Sequence, residues 1–248
     1  MNLTLMLHDF EESSRRGMQT RQDSRYLLKL ILFKEAIHLA INEGVQFDLI
    51  SQNNENSNKV RITQDDGGGS SLLLANFLSN LGIRCTFFIA TDYIGKPGFL
   101  TSSEIRWLRS LGHMIGSHSH SHPNPFCLLD ARQLDYEVQK SQQILEDTLM
   151  EKIEKFAIPG GESRSDTFKA LSDPKYALRE VYTSIPHRGV IERISNTEFH
   201  GRFCIERDQS PRKILRVIEG NGWRINKLIY LVSRLRREIG YQISNQKN

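Results

Sequence analysis

Two adjacent carboxylates, Asp65 and Asp66, close a β-prone run in residues 62–70, ITQDDGGGS, and three glycines follow at once. Further on, GSHSHSHPNP carries His118, His120 and His122. Histidines four apart can face one point from a turn or a helical turn, and a neutral imidazole is the commonest metal ligand. A lone His-x-x-x-His pair is more often a solvated loop. Two imidazoles with one carboxylate, however, hold a divalent ion and leave positions for water and substrate. Such an ion brings the pKa of its water toward neutrality and polarises a carbonyl. A hydrolase of this kind also needs a base for the water's proton. If one of Asp65 and Asp66 ligates the ion, the other stands beside it to serve, and the cation keeps it ionised. The glycines are expected to let the substrate and the metal shell approach the backbone. A phosphate-cradle reading of GGGSS is poor, because no lysine precedes the serine.

These residues need elements that bring them to one place. Strand-like runs fall at residues 3–9, 45–51, 60–66, 84–90, 154–161, 179–187 and 201–207, and another runs from residue 113 into the histidine-rich turn. Helical patterns fall at 26–44, 70–82, 101–112, 130–150, 163–173 and 224–240. The segment 101–112 opens on a Ser-x-x-Glu-like cap. Strands and helices alternate from about residue 60 to 208, which means parallel strands joined by crossover helices. So many strands suit a closed barrel better than an open sheet, and no GxGxxG fingerprint favours the open form. Sites in parallel α/β folds sit at the C-terminal ends of strands. That rule puts four spots at one pole: His8 with Asp9, Asp65 with Asp66, His118 to His122, and Pro159-Gly160-Gly161.

The chain has 248 residues, 38% hydrophobic and 25% charged, an ordinary globular composition with length for one large barrel-type domain. No apolar run reaches the ~18 residues of a membrane span. An acidic segment stands where a signal peptide would have its apolar core. The three cysteines, Cys85, Cys127 and Cys204, have no metal-ligand spacing and suit a reducing compartment. A cytoplasmic location is therefore expected. Residues 201–248 hold eleven Lys or Arg against four Asp or Glu, so the rest of the chain sums to −3 within the net +4. An anionic partner should meet the C-terminal segment.

The sequence resembles the polysaccharide deacetylase family, carbohydrate esterase family 4, with its NodB-homology domain. The family's first motif, Thr-Phe-Asp-Asp-Gly, reads here Thr63-Gln64-Asp65-Asp66-Gly67, and its second, His-Ser/Thr-x-x-His-Pro, reads His118-Ser119-His120-Ser121-His122-Pro123. The resemblance implies an α/β fold, a distorted (β/α)7 barrel, over residues 1–210, with 211–248 as a basic C-terminal helical extension. It implies Asp65 as catalytic base and Asp66, His118 and His122 as ligands of one divalent metal ion, with zinc expected. Ser119 would support the loop and His120 would be a passenger. Pro159, Gly160, Gly161 and His8 are expected to contact substrate, although His8 reads equally well as a structural histidine.

Three departures stand out. Gln64 replaces an aromatic residue. The third motif, Arg-x-Pro-x-Gly in many members, reads Ala157-Ile158-Pro159-Gly160-Gly161, so the arginine that orients the catalytic aspartate is missing; Arg164 and Arg202 are the candidates to supply it. The fifth motif, Leu-x-His, has no clean match. His187, just past a strand, is preferred as general acid over His200, which is read as preceding its strand.

The expected activity is metal-dependent removal of an acetyl group from an N-acetylated sugar that is nucleotide-linked, lipid-linked or oligosaccharide, in surface polysaccharide biosynthesis. The competing reading is a catalytically impaired deacetylase fold that still binds sugar. A ferrous oxygenase fits poorly, because such sites usually sit in all-β folds. A glycosidase leaves the histidines unexplained. No nucleic-acid partner is expected. In the segment 224–240, Ile225, Leu228, Ile229, Val232, Leu235 and Ile239 share one helical face, and Arg224, Lys227, Arg234, Arg236 and Arg237 lie mainly off it. That pattern allows a packed last helix or a weak peripheral membrane contact.

Overall fold

The computed structural model describes residues 3–19, 24–51, 59–161 and 164–221. In chain order its strands are β1 (Leu3–Leu7), β2 (Asp9–Phe10), β3 (Leu27–Leu28), β4 (Val60–Gln64), β5 (Cys85–Ile89), β6 (Met114–Ser117), β7 (Lys155–Ala157), β8 (Glu180–Tyr182), β9 (Val190–Ile194), β10 (Thr197–His200) and β11 (Phe203–Cys204). Its helices are α1 (Leu30–Asn42), α2 (Ser71–Asn80), α3 (Ser102–Ser110), α4 (Ala131–Leu149), α5 (Ser165–Leu171) and α6 (Pro211–Ile218). Nine strands form one curled sheet in the order β11-β1-β4-β5-β6-β7-β8-β10-β9. Every pairing is parallel except β9 with β10. This is the expected α/β architecture of a distorted (β/α)7 barrel.

Period-two alternation sorts each strand into two faces. Leu3, Leu5 and Leu7 of β1, Ile62 of β4, Cys85, Phe87 and Ile89 of β5 and Ile115 of β6 turn outward into the main core, where α1, α2, α3 and α6 cover them. Phe156, Val181 and Phe199 do the same for a second cluster under α4 and α5. The inward face is different. Phe88, Ala157 and Tyr182 form a separate small cluster there. Gly116 follows from that filling: a Cβ at this position would sit 2.5 Å from the Phe88 ring.

The cap read at 101–112 is present, and a second one, not read from the sequence, stands on α4. Thr101 and Glu104 form a complete capping box on α3, and Asp130 and Gln133 form another on α4. Several boundaries differ. Residues 27–28 pair with β2 as β3, so α1 begins only at Leu30. Residues 45–51 are not a regular strand. They cross the N-terminal pole and form two isolated bridges, Phe47 with Val60 of β4 and Leu49 with Ile83 just before β5. The hairpin of β9 and β10 was not expected. It turns at Ser195-Asn196, with Ser195 at φ +53°, a two-residue connection that lacks the usual glycine.

Residue 211 opens α6, whose Ile214 and Ile218 join the main core beside α1. No described helix is long and apolar enough to cross a membrane. The helix expected at 224–240, with its basic face, lies outside the described residues.

Candidate metal centre and its base

The C-terminal ends of the strands bring the chemistry together. Register places Leu3 beside Val60 and Leu7 beside Gln64, so β1 and β4 end level, with His8 following β1 and Asp65 following β4. Asp65 shares the inward face with Arg61 and Thr63. Ser117 ends β6, and His118 follows it. The backbone then leaves ordinary strand geometry: Asp66, Ser119 and His122 have φ of +75°, +65° and +58°. Non-glycine residues in this region are uncommon and gather at functional sites.

One ligand atom from each of Asp66, His118 and His122 lies within 4.8 Å of the others, the only such cluster of three among the described residues. His118 Nε2 and His122 Nε2 are each 3.5 Å from Asp66 Oδ1. The Nδ1 of His118 is 2.8 Å from the Ala157 carbonyl, which turns Nε2 toward the aspartates. A ligating histidine whose other nitrogen meets a carbonyl is the common outer-sphere arrangement. Burial, with the His118 charge second, pushes His122 down to about 4, so this imidazole is neutral at pH 7. The donor set therefore fits a divalent ion of the zinc type.

Beside this cluster Asp65 is only 3% exposed. Fully buried Arg202 donates to both its oxygens, from Nη1 at 2.6 Å and from Nη2 at 2.8 Å. The guanidinium is itself anchored: Nε donates to the Thr183 carbonyl at 2.9 Å and Nη1 to the Thr63 hydroxyl at 3.1 Å. It also lies over the Phe88 ring, 5.6 Å from the centroid. Burial alone would raise both carboxyl pKa values. Arg202 and then His118 instead hold Asp65 below the usual carboxylate range, and the His118 hydrogen bond does so for Asp66.

The histidine loop is held from α4. Glu137, buried, accepts from the backbone N–H of His120 and of Ser121 at 2.8 Å each, and from the Ser121 hydroxyl at 2.6 Å. Ser119 accepts from the His122 N–H at 3.1 Å. His120 turns away from the cluster, with Nδ1 2.9 Å from the Thr91 hydroxyl and its ring edge on Tyr136. Sequence reasoning missed Glu137. Its signal is one acidic residue on the buried face of an otherwise amphipathic helix.

The glycine run has a different role from the expected one. A Cβ on Gly68 would collide with the Asp9 carboxylate, and one on Gly69 would sit 2.6 Å from Arg15 Cβ. The space at Gly68 and Gly69 belongs to side chains of β2 and the loop after it, not to a ligand. Asp9 accepts from the Ser70 hydroxyl at 2.5 Å. Burial raises Asp9 to about 7. Gln64 points outward, where its amide reaches the carbonyl of His8 and Ser70 Oγ.

The His8 ring packs on that of Tyr26, tilted by 31° with centroids 4.7 Å apart, and burial lowers its pKa while Asp66 and Asp65 pull it up. Gly160 and Gly161 both have φ of +66°, and Cβ atoms there would meet the side chains of Asn124 and Ser184. His187 lies in the loop after β8, packed on Gly201. His200 does not precede its strand. It is the last residue of β10, stacked on Tyr182 at 5.1 Å, with Nε2 3.3 Å from Glu198.

A family model described as polysaccharide deacetylase matches residues 52–178, just over half of the 248. Among solved structures, a polysaccharide deacetylase from Bacillus cereus is 16% identical over 88% of this chain and 68% of its own, with a TM-score of 0.71. The deacetylase PplD of Streptococcus pyogenes, in complex with acetate, is 18% identical over 87% and 97%, at 0.72. IcaB from Ammonifex degensii is 19% identical over 88% and 95%, at 0.68. At these identities the likeness is one of fold. No curated protein sequence matches the chain.

Proposed function

The chain belongs to the polysaccharide deacetylase family, and we propose that it is a metal-dependent hydrolase that removes the acetyl group from an N-acetylated sugar. The observation that carries this reading is the buried pair of Asp65 and Arg202 set against the Asp66, His118 and His122 cluster. In that placement a base and a metal site face one reacting centre.

When bound, a divalent ion supplies Lewis acidity and a water of lowered pKa. The three donors Asp66, His118 and His122 hold it, and zinc is the ion proposed. Asp65 takes the proton from the water that attacks the amide carbonyl. Arg202 holds both oxygens of Asp65 in place and keeps the buried carboxylate ionised. The departing amine needs a proton. His187 is the donor proposed from the sequence. His8 is the rival, because it stands level with Asp65 at the end of the neighbouring strand. Pro159, Gly160 and Gly161 form the rim after β7, where the sugar is proposed to lie. The missing third-motif arginine and fifth-motif histidine speak for an impaired, sugar-binding reading. Arg202 supplies the same contact from elsewhere in the chain and so favours the active reading.

A cytoplasmic location is proposed from the three free cysteines. The substrate is then a nucleotide-linked, lipid-linked or oligosaccharide precursor of a surface polysaccharide. A weak contact of the basic segment 224–240 with an anionic membrane is proposed as well; pelleting with anionic vesicles that is no greater than with neutral ones would remove it. The test of function is acetate release by metal-loaded protein from a panel of acetylated sugar nucleotides, lipid-linked sugars and oligosaccharides. No metal-dependent acetate from any of the three classes would leave the binding reading.

A further inference from the structure

A cavity lies at the pole opposite the metal centre, among the N-terminal ends of β4, β5, β6, β7, β8 and β10. Its volume is about 630 Å³, within the ~300–1,000 Å³ of small-molecule sites. Strand alternation explains its polarity. Arg61 stands on the same face of β4 as Thr63 and Asp65, while Lys155 of β7 and Glu180 of β8 stand one step below Ala157 and Tyr182. The Phe88, Ala157 and Tyr182 cluster therefore separates this cavity from the metal centre.

Six basic side chains line it, Lys59, Arg61, Arg84, Arg109, Lys155 and Arg179, against four acidic ones. Arg109 and Arg179 belong to the rim, where Glu151 and Glu154 hold them at 2.7 and 2.9 Å. The inner cations are less well matched. Glu180 is engaged by Lys155 and by the Tyr182 hydroxyl. Arg61 comes no closer to Glu180 than 3.7 Å, and Arg84 no closer to Asp48 than 3.9 Å. Both distances exceed a hydrogen bond. Arg84 Nη2 donates to the Ile50 carbonyl at 2.8 Å, which leaves one buried nitrogen on each guanidinium, Arg61 Nη1 and Arg84 Nε, with no hydrogen-bond partner. The two residues are also neighbours: Ile62 pairs with Cys85, which sets Arg61 beside Arg84 one step earlier. Buried charged donors without an acceptor are costly and call for a missing partner.

We propose that this lower cavity binds a tetrahedral oxyanion, a phosphate or sulfate group, between Arg61 and Arg84. Such a group accepts from both guanidinium forks at once and offsets the basic excess. A carboxylate offers two oxygens in one plane and serves fewer of these donors. The remaining volume admits the organic part of a phosphorylated small molecule.

The proposal is independent of the deacetylase reading, and its test avoids the metal centre. Chelator-treated full-length protein is titrated calorimetrically with sodium phosphate and with sodium sulfate, at constant ionic strength set by sodium chloride. One saturable site per chain is expected. Arg61→Gln and Arg84→Gln should each weaken it by at least ~10-fold, the scale of one lost charge-assisted contact. Arg61→Lys and Arg84→Lys keep the charge, lose the fork and cover the case in which the glutamine variants do not fold; they should also bind more weakly. His118→Ala, at the other pole, should bind like the parent. No saturable heat with either anion up to about 10 mM would show that water alone satisfies these donors. Unchanged affinity in the folded arginine variants, or lost affinity in His118→Ala, would equally overturn the proposal.

Discussion

Arg202 grips both oxygens of Asp65, at 2.6 and 2.8 Å, across 137 residues of chain. The contact depends on sheet order. β1 lies between β11 and β4, and Arg202 immediately precedes β11, so this strand order brings its long side chain within reach of Asp65, which follows β4. Removing the arginine side chain strands a buried carboxylate. Arg202→Ala is expected to lose about 3–5 kcal/mol of stability, the range for breaking a buried pair. Arg202→Lys keeps the charge without the fork, and should fold while kcat falls by at least ~10-fold. Parent-like denaturation midpoint and turnover in both variants would leave Arg202 without a role.

Asp65→Asn retains the size and loses the base. It is expected to keep bound metal and to lose at least ~100-fold in rate, the usual weight of general-base catalysis. Metal analysis alongside acetate release reads both. Unchanged turnover would move the base to another residue.

Elemental analysis should find one divalent ion per chain, and none after dialysis of His118→Ala or His122→Ala. The prediction follows from the three ligand atoms lying within 4.8 Å of one another. Full metal content in both variants would dissolve the centre.

Gly116 lies against the Phe88 ring on the inward face. Gly116→Ala should overpack that layer and cost about 1–3 kcal/mol by urea denaturation. Pairing it with Phe88→Leu should recover part of the loss, because the two side chains compete for one space. Equal midpoints for parent and Gly116→Ala would contradict this packing.

Acid should weaken the lower pole. Burial alone would raise Glu180, yet Lys155 and Arg61 bring it from an ordinary 4.5 to about 2. A carboxylate depressed in the folded state stabilises above its unfolded pKa. That contribution fades as pH falls from about 4.5 to about 2, and the shift is worth about 3 kcal/mol. Urea midpoints measured across that window should fall more steeply for the parent than for Glu180→Gln. Parallel curves would show that Glu180 carries no such linkage.

Periodicity, capping residues and motif order determined a good deal by themselves. They set the alternation of strands and helices, the capping box on α3, and the pole at which Asp65, Asp66, His118 and His122 meet. Those features are local: each depends on residues within one or two turns, or on the rule that parallel strands share an orientation. Tertiary structure decided the rest. It chose Arg202 over Arg164 as the partner of Asp65, brought Glu137 under the histidine loop, and filled the glycine run with Asp9 and Arg15 rather than with a ligand. It also set Arg61 beside Arg84. Each of these contacts joins residues distant in the chain, and its geometry follows from strand order and register, which no local spacing encodes.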